Sequence, residues 1–209
     1  FTITSACASS AYAIGLGYDM IKSGKADIVI TGGADSLINR EDIEGFNELY
    51  ALSVNNDPGN ASSPFSAGRD GFVIGEGAGI MILESEESAL RRKAMIYAEM
   101  AGCALTSEAY NIMAPMKDGD GICHTIMSAL KNSNVKPEEV DYINAHGTST
   151  ILNDLYETMA IKKVFGERAY TIPVSSTKAM IGHTVGAAGV IEGAVTVMSI
   201  INGVIPPTI

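Results

Sequence analysis

The chain alternates short β-branched and apolar runs with stretches in which apolar side chains recur every three or four positions, so strands and helices are expected to follow one another. Phe1-Thr2-Ile3-Thr4 reads as a strand that stops at small residues. Ala11, Ile14, Tyr18 and Ile21 then share one face of a helix that begins at Ser9 or Ser10 and stops at Gly24. Residues 26–34 form a short run apolar on both faces, as in a strand buried in a parallel or mixed sheet, and residues 79–84 form another. Residues 84–93 read as a helix with acids first and Arg91-Arg92-Lys93 last, the order the helix dipole favours. A long apolar strand is expected over 94–105, a helix over 122–133, a strand over 140–145, a helix from about 154 to 165 closed by Gly166, and a strand over 171–176. The last helix, 190–201, carries one charge, Glu192, and ends at Gly203. Residues 35–63 show no period and read as irregular, with Asn55-Asn56-Asp57-Pro58-Gly59 as a turn cluster.

Composition narrows the function classes. The chain is 209 residues long, 46% hydrophobic, with 22 glycines and no Trp, a small-residue-rich α/β interior. A net charge of −10 and only short basic clusters argue against a nucleic-acid partner. Apolar stretches are interrupted by Gly or charge before membrane-spanning length, so no membrane association is expected. Three cysteines without CxxC or CxxH spacing make neither a disulfide framework nor a zinc site, so a reducing compartment and no metal are expected. The Gly-rich stretch 68–79 lacks the Gly-Lys-Ser/Thr ending of a phosphate loop.

The candidate chemistry starts at Cys7. It lies where the first strand gives way to a helix, and unpaired backbone N–H groups and the dipole at a helix start favour a thiolate. The competing reading is a buried structural cysteine, as is expected of Cys103 and Cys123. His146 and His183 follow the strands 140–145 and 171–176, and a hydrogen-bonded core histidine is the bland alternative for each, as for His124. The order strand, reactive side chain, small-residue turn, buried helix occurs in 1–34 and again in 171–209. Two such units packed back to back would bring Cys7, His146 and His183 into one pocket.

Four segments, Ser-Ala-Cys-Ala-Ser-Ser (5–10), Arg-Asp-Gly-Phe-Val-Ile-Gly-Glu-Gly-Ala-Gly (69–79), Asn-Ala-His-Gly-Thr-Ser-Thr (144–150) and Ser-Thr-Lys-Ala-Met-Ile-Gly-His-Thr-Val-Gly-Ala-Ala-Gly (176–189), closely resemble the β-ketoacyl-acyl-carrier-protein synthases, the elongating condensing enzymes of fatty-acid synthesis, most like the synthase II branch. The resemblance covers essentially the whole chain. It implies an α/β thiolase-like αβαβα sandwich of two pseudo-equivalent halves, with 1–93 the end of the N-terminal half and 94–209 most of the C-terminal half, in an enzyme of about twice this length. It also implies a cytoplasmic homodimer that needs no cofactor and meets acyl carrier protein, whose phosphopantetheine arm carries the substrates. By the same resemblance Cys7 is the acyl-accepting nucleophile and its backbone N–H half of the oxyanion hole. His146 and His183 are the imidazoles of malonyl decarboxylation, Lys178 and Glu157 a supporting ion-pair network, and Thr148 and Thr150 hydroxyls that hold the pantetheine arm.

These residue types suit that chemistry. A thiolate exchanges one thioester for another almost isoenergetically, and two neutral imidazoles donate N–H bonds to an enolate oxygen, a role worth about 3 kcal/mol per donor. A polyketide or specialised-lipid ketosynthase and a non-catalytic partner subunit of a condensing heterodimer are the competing readings, and Cys7 argues against the last. The chain departs from the family pattern at Ile151, Ser66, Asn111, Met113 and Tyr50, positions that bear on carrier recognition and substrate choice. The family's C-terminal gate is expected beyond Ile209.

Overall fold

The computed structural model describes residues 1–112 and 114–209; the family departure noted at Met113 therefore lies outside the described residues. The elements run α1 (Ser9–Lys22), β1 (Ile28–Asp35), α2 (Arg40–Glu48), β2 (Gly77–Glu84), α3 (Glu86–Arg91), α4 (Asp120–Ser133), β3 (Ile143–Asn144), α5 (Ile151–Phe165), β4 (Val174–Ser175), α6 (Lys178–Ile181) and α7 (Ala188–Asn202).

β1 and β2 pair antiparallel, from Ile28 opposite Glu84 to Asp35 opposite Gly77. Their alternation places Val29, Thr31, Met81 and Leu83 on one face, where α1 and α7 pack. Small residues bring these helices close. A Cβ on Gly17 would lie 3.1 Å from Val29, and one on Gly79 would lie 2.9 Å from Val190. The other face is apolar and open: Ile30 and Ile80 are 72% and 74% exposed, with Ile28 and Ile82 beside them. Residues 26–34 are thus covered on one side only, although their composition predicts burial on both.

The second unit is built on the parallel pair β3 and β4, joined by Ile143 N–H to Pro173 O (3.0 Å) and Ala145 N–H to Ser175 O (2.9 Å). Its core is Ile161, Phe165 and Ile172, with Ile126, Val140, Ile143 and Val174 packed around them. α5 supplies two of the three core residues because its apolar stripe faces this sheet.

Three predicted elements differ. The segments 1–4 and 94–105 belong to no helix or strand ladder among the described residues. Carbonyls of 101–106 are instead taken by side chains of flanking helices: Tyr12 Oη donates to Thr106 O, Tyr18 Oη to Ala101 O and Asn132 Nδ2 to Cys103 O. α2 lies inside the stretch that reads as irregular. It is short, with only Ile43 and Phe46 apolar at helical spacing among charged residues and a glycine, and it is held by the Asn39 side chain accepting from Asp42 N–H.

The window Val185–Asn202 has a mean hydropathy of 1.6 over 18 residues, enough by length and composition to cross a membrane, contrary to the sequence-based expectation. In this fold the helix is covered at its start and open along its second half, where Met198, Ile200 and Ile201 are exposed. Its first turn is buried against α1, where Val190 N–H donates to Ser10 Oγ (3.0 Å), and its one acid, Glu192, is paired with Lys178.

Candidate active site

Cys7 sits in a one-turn 3-10 helix, Ala6–Ala8, that runs directly into α1. The turn is sharp because Ala6 adopts φ +44°, a left-handed conformation that disfavours a side chain by about 1 kcal/mol or more. Ser5 N–H donates to Ser9 Oγ, whose hydroxyl donates to Ala6 O, and together these close the turn. The sulfur is half-buried. Burial pushes the Cys7 thiol above its ordinary value, while Lys178 and the residue's own backbone N–H pull it down. The expected helix-start stabilisation of the thiolate is therefore outweighed by desolvation.

His183 is placed by main chain. Gly182 before it has φ +70°, and a Cβ there would lie 2.9 Å from Val73 O. His183 N–H donates to Val73 O (2.7 Å), and Gly75 N–H donates to His183 O (2.9 Å). Phe72 packs edge-on against its ring at 5.2 Å, and Phe46 of α2 packs edge-on against Phe72. The 3-10 turn Val185–Ala187 and α7 follow, and Gly186 N–H donates to Asp35 at the end of β1 (2.8 Å).

His146 follows β3, and both sides of its peptide are held by charged groups. Glu157 accepts from His146 N–H (2.7 Å) through one carboxylate oxygen and from Gly147 N–H (2.8 Å) through the other. Lys178 Nζ donates to His146 O (2.6 Å). Lys178, 1% exposed, is ion-paired with Glu192 of α7. Of the expected Lys178 and Glu157 network, the two side chains meet at the His146 backbone and attract each other across it, and the acid in salt-bridge contact with the ammonium is Glu192. Burial raises the carboxyls of both Glu157 and Glu192, against the pull of Lys178 and, at Glu157, of the two N–H donors. Sequence reasoning misses Glu192 although its signal is present, because a single charge in an apolar helix needs a buried partner.

The sulfur of Cys7 and one ring nitrogen each of His146 and His183 lie within 4.8 Å of one another. The two imidazoles meet edge to face, centroids 5.3 Å apart. Burial drives His146 well below the ordinary imidazole range, with Lys178 and His183 adding to it, and burial with Lys178 lowers His183 to about 3. Both rings are neutral at pH 7, so each has one N–H to donate and neither is an acid strong enough to quench a carbanion.

Thr148 and Thr150 lie on the loop between β3 and α5, their hydroxyls bonded to each other at 2.8 Å. Among the described residues no hydrogen bond links them to the three reactive side chains. Arg69 braces this loop: its guanidinium donates to Thr150 O, Ile151 O and Ser66 O, beside the buried Asp154 carboxylate, which accepts from Phe65 N–H (2.7 Å). Residues of the second motif thus hold the third in place.

Residues 1–89 match the family description "Beta-ketoacyl synthase, N-terminal domain" and residues 97–209 match "Beta-ketoacyl synthase, C-terminal domain". The chain is 52% identical over 209 residues to 3-oxoacyl-[acyl-carrier-protein] synthase 2 of Synechocystis sp., and 47% identical over 208 residues to the protein of that name from Staphylococcus aureus. All of the chain aligns, against 50% and 51% of those proteins, so it spans about half the length of the curated relatives it matches. Among solved structures, a type II polyketide ketosynthase in complex with its acyl-carrier protein superposes with a TM-score of 0.91 at 42% identity, covering 94% of this chain and 49% of that one. The ishigamide ketosynthase/chain length factor superposes with a TM-score of 0.91 at 41% identity, covering 100% and 49%.

Proposed function

The chain belongs to the β-ketoacyl synthase family, and on that premise we propose that it carries the reaction centre of a fatty-acid elongating condensation: an acyl thioester held on Cys7 is joined to malonyl-acyl-carrier-protein to give a 3-oxoacyl-acyl-carrier-protein. Its fold is the thiolase-like ketosynthase fold. The observation that carries the proposal is the convergence of one thiol and two neutral imidazoles within 4.8 Å.

The Cys7 sulfur attacks the acyl thioester carbonyl; the carrier's thiolate leaves and takes up a proton. The malonyl thioester then loses CO2, and the electron pair of the broken C–C bond passes into an enolate whose oxygen receives the N–H bonds of His146 and His183. The enolate carbon attacks the Cys7 thioester, a C–C bond forms, and the sulfur leaves as thiolate. Glu157 and Lys178 act as positioning residues for His146, Glu192 balances the Lys178 charge, and Thr148 and Thr150 hold the pantetheine arm. Acyl carrier protein as partner, a cytoplasmic homodimer and independence from any added cofactor complete the reading.

A polyketide role is the second reading, favoured by the type II polyketide ketosynthase among the structural relatives at 42% identity; the higher identity to two synthase 2 proteins favours fatty-acid elongation. Mass spectrometry of the protein carrying this chain, incubated with saturated acyl-carrier proteins of graded length and with β-keto polyketide intermediates, tests both. Acyl adducts on Cys7 from the saturated series support the first reading; adducts from the β-keto series alone support the second.

A further inference from the structure

The three groups that converge at the reaction centre are also three metal donors. A thiolate and two imidazoles give one sulfur and two nitrogen ligands, a set that suits Zn2+ among the common divalent ions, and a zinc site with three protein ligands keeps its fourth position for water. In a tetrahedral site Zn–S of about 2.3 Å and Zn–N of about 2.0–2.1 Å put the donors roughly 3.3–3.6 Å apart. Here they lie within 4.8 Å of one another before any ion is bound. The main chain of both histidines is clamped, so closing to that spacing falls to the Cys7 side chain, in a turn whose hydrogen bonds run to Ser5 and Ser9 and which holds no fully buried residue. The Lys178 ammonium is paired with Glu192, which reduces its repulsion of a cation, while its remaining positive field favours the thiolate form of Cys7.

We propose that Cys7, His146 and His183 bind a single Zn2+ ion, and that the bound ion blocks acylation by occupying the sulfur that would attack the thioester. The blocking half rests on the condensation reading above; the binding half does not. As the Zn–S bond forms the thiol proton passes to solvent, and the imidazoles coordinate as neutral ligands, so no oxidant or reductant is needed. Among the described residues no carboxylate is hydrogen-bonded to either imidazole, and without that support the site is expected to hold zinc reversibly rather than as a structural ion.

The test is protection from alkylation, read cysteine by cysteine with peptide mass spectrometry on the protein carrying this chain, after chelator treatment and addition of ZnCl2 alone. With free Zn2+ at about ten times its dissociation constant, iodoacetamide labelling of Cys7 should slow about tenfold by mass action, with Cys103 and Cys123 within about twofold of their metal-free rates. His183→Ala and His146→Ala should each abolish the protection at that zinc concentration. Co2+ bound to the unsubstituted protein should show a thiolate-to-cobalt charge-transfer band that iodoacetamide removes, a readout that needs no variant. Equal protection of all three cysteines, protection that survives both histidine substitutions in folded protein, or absence of the cobalt band would each overturn the site. Labelling requires no thioester, so the two readings fail separately: zinc protection in a protein inert to acyl carriers sinks the condensation reading alone, and turnover without zinc protection sinks this one alone.

Discussion

The two turns that open α1 and α7 are built alike and held differently. Each is a three-residue 3-10 helix, preceded or entered by a residue with positive φ, that passes without a break into a helix of 14 or 15 residues. All three residues of Val185–Ala187 are buried, and this turn is tied to β1 through Asp35 while His183 is tied to residues 73 and 75. None of Ala6–Ala8 is fully buried, and although the turn packs against Val185–Ala187 and α7, among the described residues its hydrogen bonds run to its neighbours Ser5 and Ser9. A nucleophile has to meet a substrate that arrives and leaves, while a hydrogen-bond donor acts by already standing where charge develops. One supersecondary unit used twice has become an accessible turn in one copy and a fixed one in the other.

The largest test of that contrast removes the acid beneath the fixed turn. Glu192→Ala leaves the Lys178 ammonium buried without its counter-charge and should cost about 3–5 kcal/mol in urea unfolding; a loss under about 1 kcal/mol would show that the α7 side of the site does not depend on the pair. Next, His183→Ala should lower decarboxylation of malonyl-carrier protein by about 10²–10³-fold, as for loss of one oxyanion donor, while acylation of Cys7 stays within a few-fold. Loss of acylation with decarboxylation intact would make His183 the base for the thiol.

A pH series sharpens the same comparison. Both histidines have folded-state values below the ordinary one, about 3 for His183, so the unfolded chain binds more protons than the folded one below about pH 6.5. Stability should therefore fall as pH drops from about 6.5 towards about 3, by about 2 kcal/mol at about pH 5 from His183, with His146 acting in the same direction, and His183→Asn should flatten the curve. Equal slopes in both proteins would mean that His183 is not held neutral. The smallest expected effect is at the open turn, where Ala6→Gly relieves a positive φ and should raise stability by about 1 kcal/mol or less without loss of Cys7 acylation. A loss of acylation would show that the Ala6 side chain itself positions the thiol.

The candidate site is legible in the sequence because its residues stand in short motifs whose types are fixed by chemistry: Cys7, His146 and His183 meet as the doubled unit predicts. What the sequence hides is partnership. Nothing in residues 146–157 says that Glu157 spends both oxygens on the two backbone N–H groups that begin with His146, or that Lys178 looks to α7 for its acid. The fold is legible where apolar residues recur at helical spacing over several turns, as in α1 and α4. α2 escapes such a reading because nine residues with two apolar side chains make too short a pattern, and 94–105 reads as a strand because composition reports β-propensity without reporting a partner strand.

The hydrogen bond from Val190 N–H to Ser10 Oγ joins residues 180 positions apart, and Gly189 packs against Ala11 at the same crossing. Contacts of such sequence separation form late, since the chain between them loses loop entropy before the contact returns any energy. During synthesis Cys7 emerges long before His183 exists. For that interval it is an ordinary thiol among small residues, and the three candidate side chains come together only when α1 and α7 dock, late in folding.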